Sequence, residues 1–162
     1  MESITTDPKD PGGNLVVRVL QILRPEAARA DMLRSMALFG DLRWPELEEF
    51  GAQFDEVMVP RGTRLTVQGQ ADTHLRLLVS GEALVSADAR PLRVIGHGDP
   101  VGLASMLYRI KSPETTIALS PIRALSAGPE QLRTLLRQAT IRRRLTALAA
   151  DRLRSRRPFR GR

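Results

Sequence analysis

The spacing of apolar residues changes twice along the chain. Up to about residue 55 they recur at the three- and four-residue intervals of helices. From residue 56 to residue 127 they form short runs separated by Gly and Pro, and after Pro129 the helical intervals return. This order predicts an α+β protein in which helices flank a block of short strands on both sides.

The N-terminal residues divide into a polar part and a strongly apolar part. Residues 1–13 are polar and contain several helix breakers, which predicts a flexible tail. Asn14 is a suitable cap for a helix over residues 14–24, which is apolar on nearly every side before Pro25 stops it. We favour packing of this helix against the domain, and contact with a partner or a membrane surface is the alternative.

Two more helices are predicted before the strands begin. The first runs from about Glu26 to Ala37, and the second opens at Pro45, a residue that suits the first turn of a helix. The apolar residues of the second helix fall on one face, namely Leu47, Phe50, Gly51 and Phe54.

The central block has the texture of an antiparallel β structure. Its apolar runs cover residues 57–59, 64–67, 75–79, 83–85, 92–95, 115–119 and 122–125. Turn residues lie between them, among them Gly62, Gly69, Gly81 and Gly96. Many short strands at near-regular spacing are typical of a roll, barrel or sandwich.

The C-terminal segment is helical in pattern and strongly basic. Its apolar stripe packs on the chain's own roll or forms the seam of a homodimer, and Pro158 ends the helix before a basic tail over 158–162. Residues 131–162 carry eleven arginines and one acid, a net +10, although the whole chain has only +7. We expect this segment to bind a protein partner, an anionic membrane surface or nucleic acid. The candidate contacts are Arg142, Arg143, Arg144, Arg152, Arg154, Arg156, Arg157, Arg160 and Arg162.

Composition and spacing argue against catalysis. The chain has no cysteine, so it has no thiol nucleophile and no cysteine ligand for zinc. His74 and His97 lie beside turns with no acid or serine at a diagnostic spacing, so we expect neither a catalytic nor a metal site. With no apolar run of membrane-spanning length and no secretory pattern, we expect a cytoplasmic protein, with peripheral membrane contact as an alternative.

Five short motifs carry a family resemblance. They cover residues 38–47 (LFGDLRWPEL), 59–62 (VPRG), 67–69 (VQG), 78–82 (LVSGE) and 95–99 (IGHGD). In this order and spacing they resemble the cyclic nucleotide-binding domain family over roughly residues 30–155, which we assign as a domain over 26–157. The resemblance implies an antiparallel eight-strand β-roll, jelly-roll-like, flanked by N-terminal and C-terminal helices. Because the sequence ends at Arg162, we expect no helix-turn-helix after it.

The segment that binds the nucleotide in this family departs from its usual pattern. The family cassette usually reads Phe-Gly-Glu-x-Ala-Leu, followed by Pro-Arg and small residues; here Gly102 matches, but Leu103 stands where the ribose-binding Glu is expected. The phosphate-binding Arg falls on Ser112, or on Glu114 if Pro113 is aligned with the family proline. Losing both charged partners weakens binding by roughly two to four decades.

The resemblance and its departures lead to one functional expectation and two alternatives. We expect a non-enzymatic regulatory or scaffolding module that binds a protein partner and needs no cofactor. One alternative is a sensor of cAMP or cGMP, in which Arg109, Lys111 or the amides of a short helix replace the lost contacts; the other is polyanion binding through the C-terminus. The candidate ligand residues are Gly102, Leu103, Ala104, Ser105, Arg109, Lys111, Ser112, Glu114 and Thr115.

Overall fold

Helices precede the strands, as the sequence predicts. The computed structural model describes residues 24–155, so the predicted tail over 1–13, the helix that begins at Asn14 and the basic tail over 158–162 lie outside the described residues. Helix α1 spans Pro25–Arg34 and helix α2 spans Trp44–Gly51. Both carry Pro in the first turn, and in α2 the Glu46 side chain accepts the Arg43 N–H at 3.0 Å.

Helix α1 ends three residues before the predicted Ala37. From Ser35 the chain continues in successive tight turns, in which the Met36 N–H donates to the Leu33 carbonyl and the Phe39 N–H to the Met36 carbonyl, both at 3.0 Å. These turns still bury Met36 and Phe39. Spacing of apolar residues therefore continues past the helix end, and it cannot mark that end by itself.

Eight strands form two four-stranded sheets among the described residues, which confirms the predicted β-roll. In chain order they are β1 Asp55–Val59, β2 Arg64–Thr66, β3 Leu75–Ser80, β4 Ala83–Ala87, β5 Arg90–Ile95, β6 Pro100–Val101, β7 Thr115–Ala118 and β8 Ile122–Ala127. One sheet has the order β1-β8-β3-β6 and the other β2-β7-β4-β5. All pairs are antiparallel.

Three helices complete the described fold. Helix α3, Leu103–Tyr108, follows the short strand β6. Helices α4, Pro129–Leu135, and α5, Ala139–Arg154, follow the last strand, and the Gln138 side chain caps α5 by accepting the Ile141 N–H at 2.7 Å. The predicted apolar stripe is buried along α5 at Ile141, Leu145 and Ala149.

The core has two parts. One lies between the two sheets and includes Leu78, Val85, Ile95 and Ile122. The other joins the helices to the β1-β8-β3-β6 sheet, and in it the rings of Phe39 and Phe50 meet edge to face with centroids 6.2 Å apart. Helices α4 and α5 bury Leu132, Leu135 and Ile141 in this second part, so they are anchored to the roll.

Candidate functional site

The segment that aligns with the family cassette, residues 102–115 (the cassette segment), begins at a glycine that the backbone requires. Gly102 has a φ of +83°, and a Cβ added there would lie 2.8 Å from the His74 carbonyl oxygen. Only glycine fits a left-handed position with so close a backbone neighbour. Helix α3 starts directly after it, so Gly102 fixes where α3 leaves strand β6.

A small cavity lies between the cassette segment, the inner face of the roll and α5. Its volume is about 40 Å³. Sites for ligands of drug size occupy roughly 300–1,000 Å³. Six predicted ligand residues line it: Gly102, Leu103, Ala104, Ser105, Ser112 and Glu114. The fold therefore brings these six residues together around one cavity, which in this conformation is too small for a nucleotide.

The position of the expected ribose-binding acid is apolar and buried. Leu103 is the first residue of α3 and is 5% exposed. It belongs to the core between the helices and the β1-β8-β3-β6 sheet. No carboxylate is available at this position, and an acid placed there would be taken out of water.

Both residues that align with the expected phosphate-binding Arg have partners in the fold. Ser112 is buried; its N–H donates to the Gln70 carbonyl at 2.7 Å, and its hydroxyl donates to the Glu114 carbonyl at 2.8 Å. The Glu114 carboxylate accepts Arg93 Nη2 on both oxygens, at 2.8 and 3.0 Å. The charge at the second position is thus opposite to the one that would bind a phosphate.

Arg93 is a cavity residue that sequence reasoning missed. It lies on β5 and lines the cavity beside Ile95, two residues further along the same strand. Its side chain is 25% exposed and that of Glu114 is 15% exposed, so much of this ion pair is removed from water. The alternation in Leu92-Arg-Val-Ile95 was the available signal, because it places Arg93 on the same face as the buried Ile95.

Helix α5 closes the cavity on its remaining side. Ala149, Arg152 and Leu153 line it, and Arg152 Nη2 donates to Asp99 Oδ1 at 3.0 Å. Asp99 also accepts the Gly96 N–H at 2.9 Å, so the turn before β6 and helix α5 share one carboxylate. The cavity therefore faces two guanidinium groups, Arg93 and Arg152.

Asp72 lies where the cavity meets the outside of the cassette segment. It comes from the β2–β3 connection, and its Oδ2 atom is buried with no hydrogen-bond partner. Burial raises the pKa of Asp72 above its usual value, while hydrogen bonds with Ser105 and Ser112 and the charge of Arg76 act in the opposite direction. Ionisation of Asp72 thus costs more free energy in the folded protein than in the unfolded chain.

A much larger groove, of about 520 Å³, lies on the other side of α3. The groove runs between α3 and α4, and Arg109 and Lys111 line it together with Arg133. Neither Arg109 nor Lys111 lines the small cavity, so the structure directs both predicted substitute cations away from it. Thr115 lies on β7, where its hydroxyl accepts the Gln68 N–H at 3.0 Å.

Some of the arginines predicted to contact a polyanion form ion pairs with acids of the described chain instead. Arg144 donates to both carboxylate oxygens of Asp41 at 2.7 Å, and this hydrogen bonding lowers the pKa of Asp41. Arg154 lies 3.7 Å from Asp151. Arg142 and Arg143 are exposed. The remaining candidates, Arg156, Arg157, Arg160 and Arg162, lie outside the described residues, and their role stays a prediction.

His97 links the turn before β6 to the segment after α1. Its Nδ1 lies 2.8 Å from the Val79 carbonyl oxygen and its Nε2 lies 3.1 Å from the Ser35 carbonyl oxygen. Carbonyl oxygens only accept, so both contacts are satisfied only by the protonated ring. These backbone hydrogen bonds raise the pKa of His97 above 6.5, with a smaller contribution from Asp99.

Metal sites and membrane-spanning helices are absent from residues 24–155. No group of three or more His, Cys, Asp and Glu side chains there could hold a metal ion. No helix in the described part of the chain is long and apolar enough to cross a membrane.

Comparison with known proteins agrees with the β-roll fold. The family model of the cyclic nucleotide-binding domain matches residues 56–139, whereas no curated protein matches the sequence. The catabolite activator protein of Thermus thermophilus is 26% identical, with a TM-score of 0.65 over 72% of this chain and 58% of that one. A variant of the cAMP-binding acyltransferase of Mycobacterium smegmatis is 25% identical, with a TM-score of 0.64 over 80% of this chain and 42% of that one.

A third solved structure shows the fold at lower identity. It is cAMP-bound PfPKA-R, which is 16% identical and has a TM-score of 0.72 over 86% of this chain and 47% of that one. The chain thus spans about half the length of these three structures.

Proposed function

Because the chain belongs to the cyclic nucleotide-binding domain family, we propose that it is a non-enzymatic regulatory module that binds a protein partner and does not hold a cyclic nucleotide through the family's usual contacts. The observation that supports this most directly is the Arg93–Glu114 ion pair at the cassette. A cyclic phosphate at that position would meet the carboxylate of Glu114, and like charges repel strongly when they are shielded from water.

The energetic cost of opening this site opposes nucleotide binding. A ligand that separated Arg93 from Glu114 would break an ion pair that is largely removed from water, at a cost of roughly 3–5 kcal/mol. That cost alone lowers the affinity by about two to four decades. Leu103 provides no hydrogen bond to a ribose in return, because its side chain is apolar.

A nucleotide sensor remains the second candidate because two guanidinium groups line the cavity. Arg93 and Arg152 could bind a phosphate if Glu114 turned away and α5 moved outward. In that case a nucleotide would compete with Asp99 for Arg152, so the movement of α5 would be the signal.

Titration calorimetry of the full chain with cAMP and with cGMP separates the two candidates. We expect no saturable heat at millimolar nucleotide and no shift in the melting temperature. Saturable binding that is lost in Arg152→Met and retained in Arg142→Met would overturn the proposal. Arg142 is a suitable control because it is exposed on the same helix and does not line the cavity.

A further inference from the structure

The groove on the outer side of α3 has the size and lining of a binding site. Its volume of about 520 Å³ falls in the range of roughly 300–1,000 Å³ found for ligand sites. Apolar side chains from both helices line it, chiefly Met106 and Leu107 of α3 and Leu132 and Leu136 at α4. Ile110, which follows α3, is 41% exposed at its edge.

Most of the charged side chains that line the groove are cations. Arg109, Lys111 and Arg133 are exposed and line it, and none of the three forms an ion pair with an acid in the described part of the chain. The single acid of the lining is Asp72, whose Oδ2 atom is buried. The surface around the apolar floor is therefore cationic, and a complementary ligand is acidic.

The cationic edge of the groove is held in place by its backbone. Arg109 adopts a left-handed conformation, with a φ of 52°, at the end of α3. Ile110, the residue after Arg109, forms two hydrogen bonds with Ser105. The Ser105 carbonyl accepts the Ile110 N–H at 3.2 Å, and the Ser105 hydroxyl donates to the Ile110 carbonyl at 2.6 Å. A fixed edge loses little conformational entropy when a ligand binds.

The partial exposure of the edge favours a peptide over a small enclosed ligand. Small-molecule sites bury 70–90% or more of their ligand's surface, whereas Ile110 and the neighbouring Tyr108 are each 41% exposed. A peptide can place apolar side chains in such a groove and leave its other face in water, as amphipathic helices do in grooves between helices.

We propose that the groove between α3 and α4 binds a net-acidic peptide segment of a partner protein, with apolar side chains in the groove and carboxylates at Arg109, Lys111 and Arg133. This inference rests on the proposed function, because it identifies the surface and the chemistry through which a protein partner is bound. It does not involve the small cavity, from which these cations are directed away.

Selection of a displayed random peptide library against the full chain tests the inference. We expect the enriched peptides to be acidic and to contain spaced apolar residues. Their affinity for the double variant R109E/R133E should fall by at least about tenfold. Lys111→Glu serves as a second variant should the pair disturb folding. The matched control R61E/R90E, which reverses two exposed arginines of the roll that do not line the groove, should bind as the wild type does.

Several outcomes would overturn the inference. They are the absence of any enriched peptide, enrichment without an acidic bias, and equal losses in the groove variant and the control. Tighter binding to a chain that lacks residues 1–23 would instead assign the groove to the chain's own N-terminal segment. Saturable heat with cAMP bears only on the proposed function, so failures of the two proposals are distinguishable.

Discussion

The two sides of helix α3 present opposite kinds of surface. On the inner side a cavity of about 40 Å³ is lined by Arg93 and Glu114, which pair with each other, and by Arg152, which pairs with Asp99. On the outer side a groove of about 520 Å³ carries three cations with no described acidic partner. In a protein of this family one would look for the ligand on the inner side. The comparison indicates that most charges of the inner side are engaged within the fold, whereas the three cations of the outer side have no acidic partner among the described residues, which is why we propose the outer side as the binding surface.

The largest expected effect comes from breaking the ion pair of the inner side. Arg93→Met should lower the free energy of unfolding by roughly 3–5 kcal/mol, because it leaves the carboxylate of Glu114 largely buried without this cation. Urea denaturation measures the change. The double variant R93M/E114L should recover most of the loss, since it removes both charges.

A small loss in Arg93→Met, with no recovery in the double variant, would contradict the idea that the cavity is closed by its own charges. The ion pair between Arg93 and Glu114 would then contribute little to keeping the cavity closed.

A smaller effect is expected at the junction of the two surfaces. Burial raises the pKa of Asp72, so its ionised form destabilises the fold at neutral pH, and this penalty is relieved as the pH falls through the raised pKa toward 3.8. Asp72→Asn should therefore be more stable than the wild type at pH 7, by less than about 1 kcal/mol for a partly exposed group. The difference should disappear in acid, as measured by denaturation at several pH values. An advantage that is independent of pH would contradict the assignment.

The stability of the fold also depends on pH through His97, which lies outside both surfaces. Denaturation at several pH values must separate this dependence from that of Asp72. The raised pKa of His97 means that the protonated ring stabilises the fold fully below pH 6.5 and that this stabilisation is lost as the pH rises through the folded-state pKa. His97→Ala should thus lose more stability at pH 5.5 than at pH 8, with a difference below about 0.5 kcal/mol at this exposed position. Equal losses of stability at both pH values would exclude stabilisation by the protonated His97 ring.

The smallest effect is expected in the groove. Lys111→Ala and Arg133→Ala should each change the free energy of unfolding by no more than about 0.5 kcal/mol, because these side chains are exposed and form no ion pair among the described residues. Thermal unfolding provides the measurement. If either variant lost nearly as much free energy of unfolding as Arg93→Met, the groove cations would have a structural role in stabilising the fold.

Most of the fold was readable from the sequence because its turns require particular residues. Gly81 shows why: its φ is +88°, and a Cβ there would lie 2.3 Å from the Pro121 carbonyl oxygen. The spacing of apolar residues located neither strand β6 nor helix α3, since two and six residues are too few to display a period.

The candidate site was only partly readable. Leu103, Ser112 and Glu114 stood out because a family pattern exists to compare them with. The partner of Glu114 did not, because Arg93 precedes it by 21 residues and meets it only when β4 pairs with β5 on one side and with β7 on the other. Arg109 is directed away from the cavity because its backbone is left-handed. An arginine rarely adopts this conformation, so the residue type did not predict it.

The attachment of α5 has a mechanical consequence. The helix has 16 residues and is about 24 Å long. Its two ion pairs to the body, Arg144–Asp41 and Arg152–Asp99, are about 12 Å apart along the axis and about 80° apart around it. Two anchors on different sides resist rolling as well as sliding. Outward movement of the C-terminal half of α5 therefore requires both that Arg152 release Asp99 and that Ala149 leave the core.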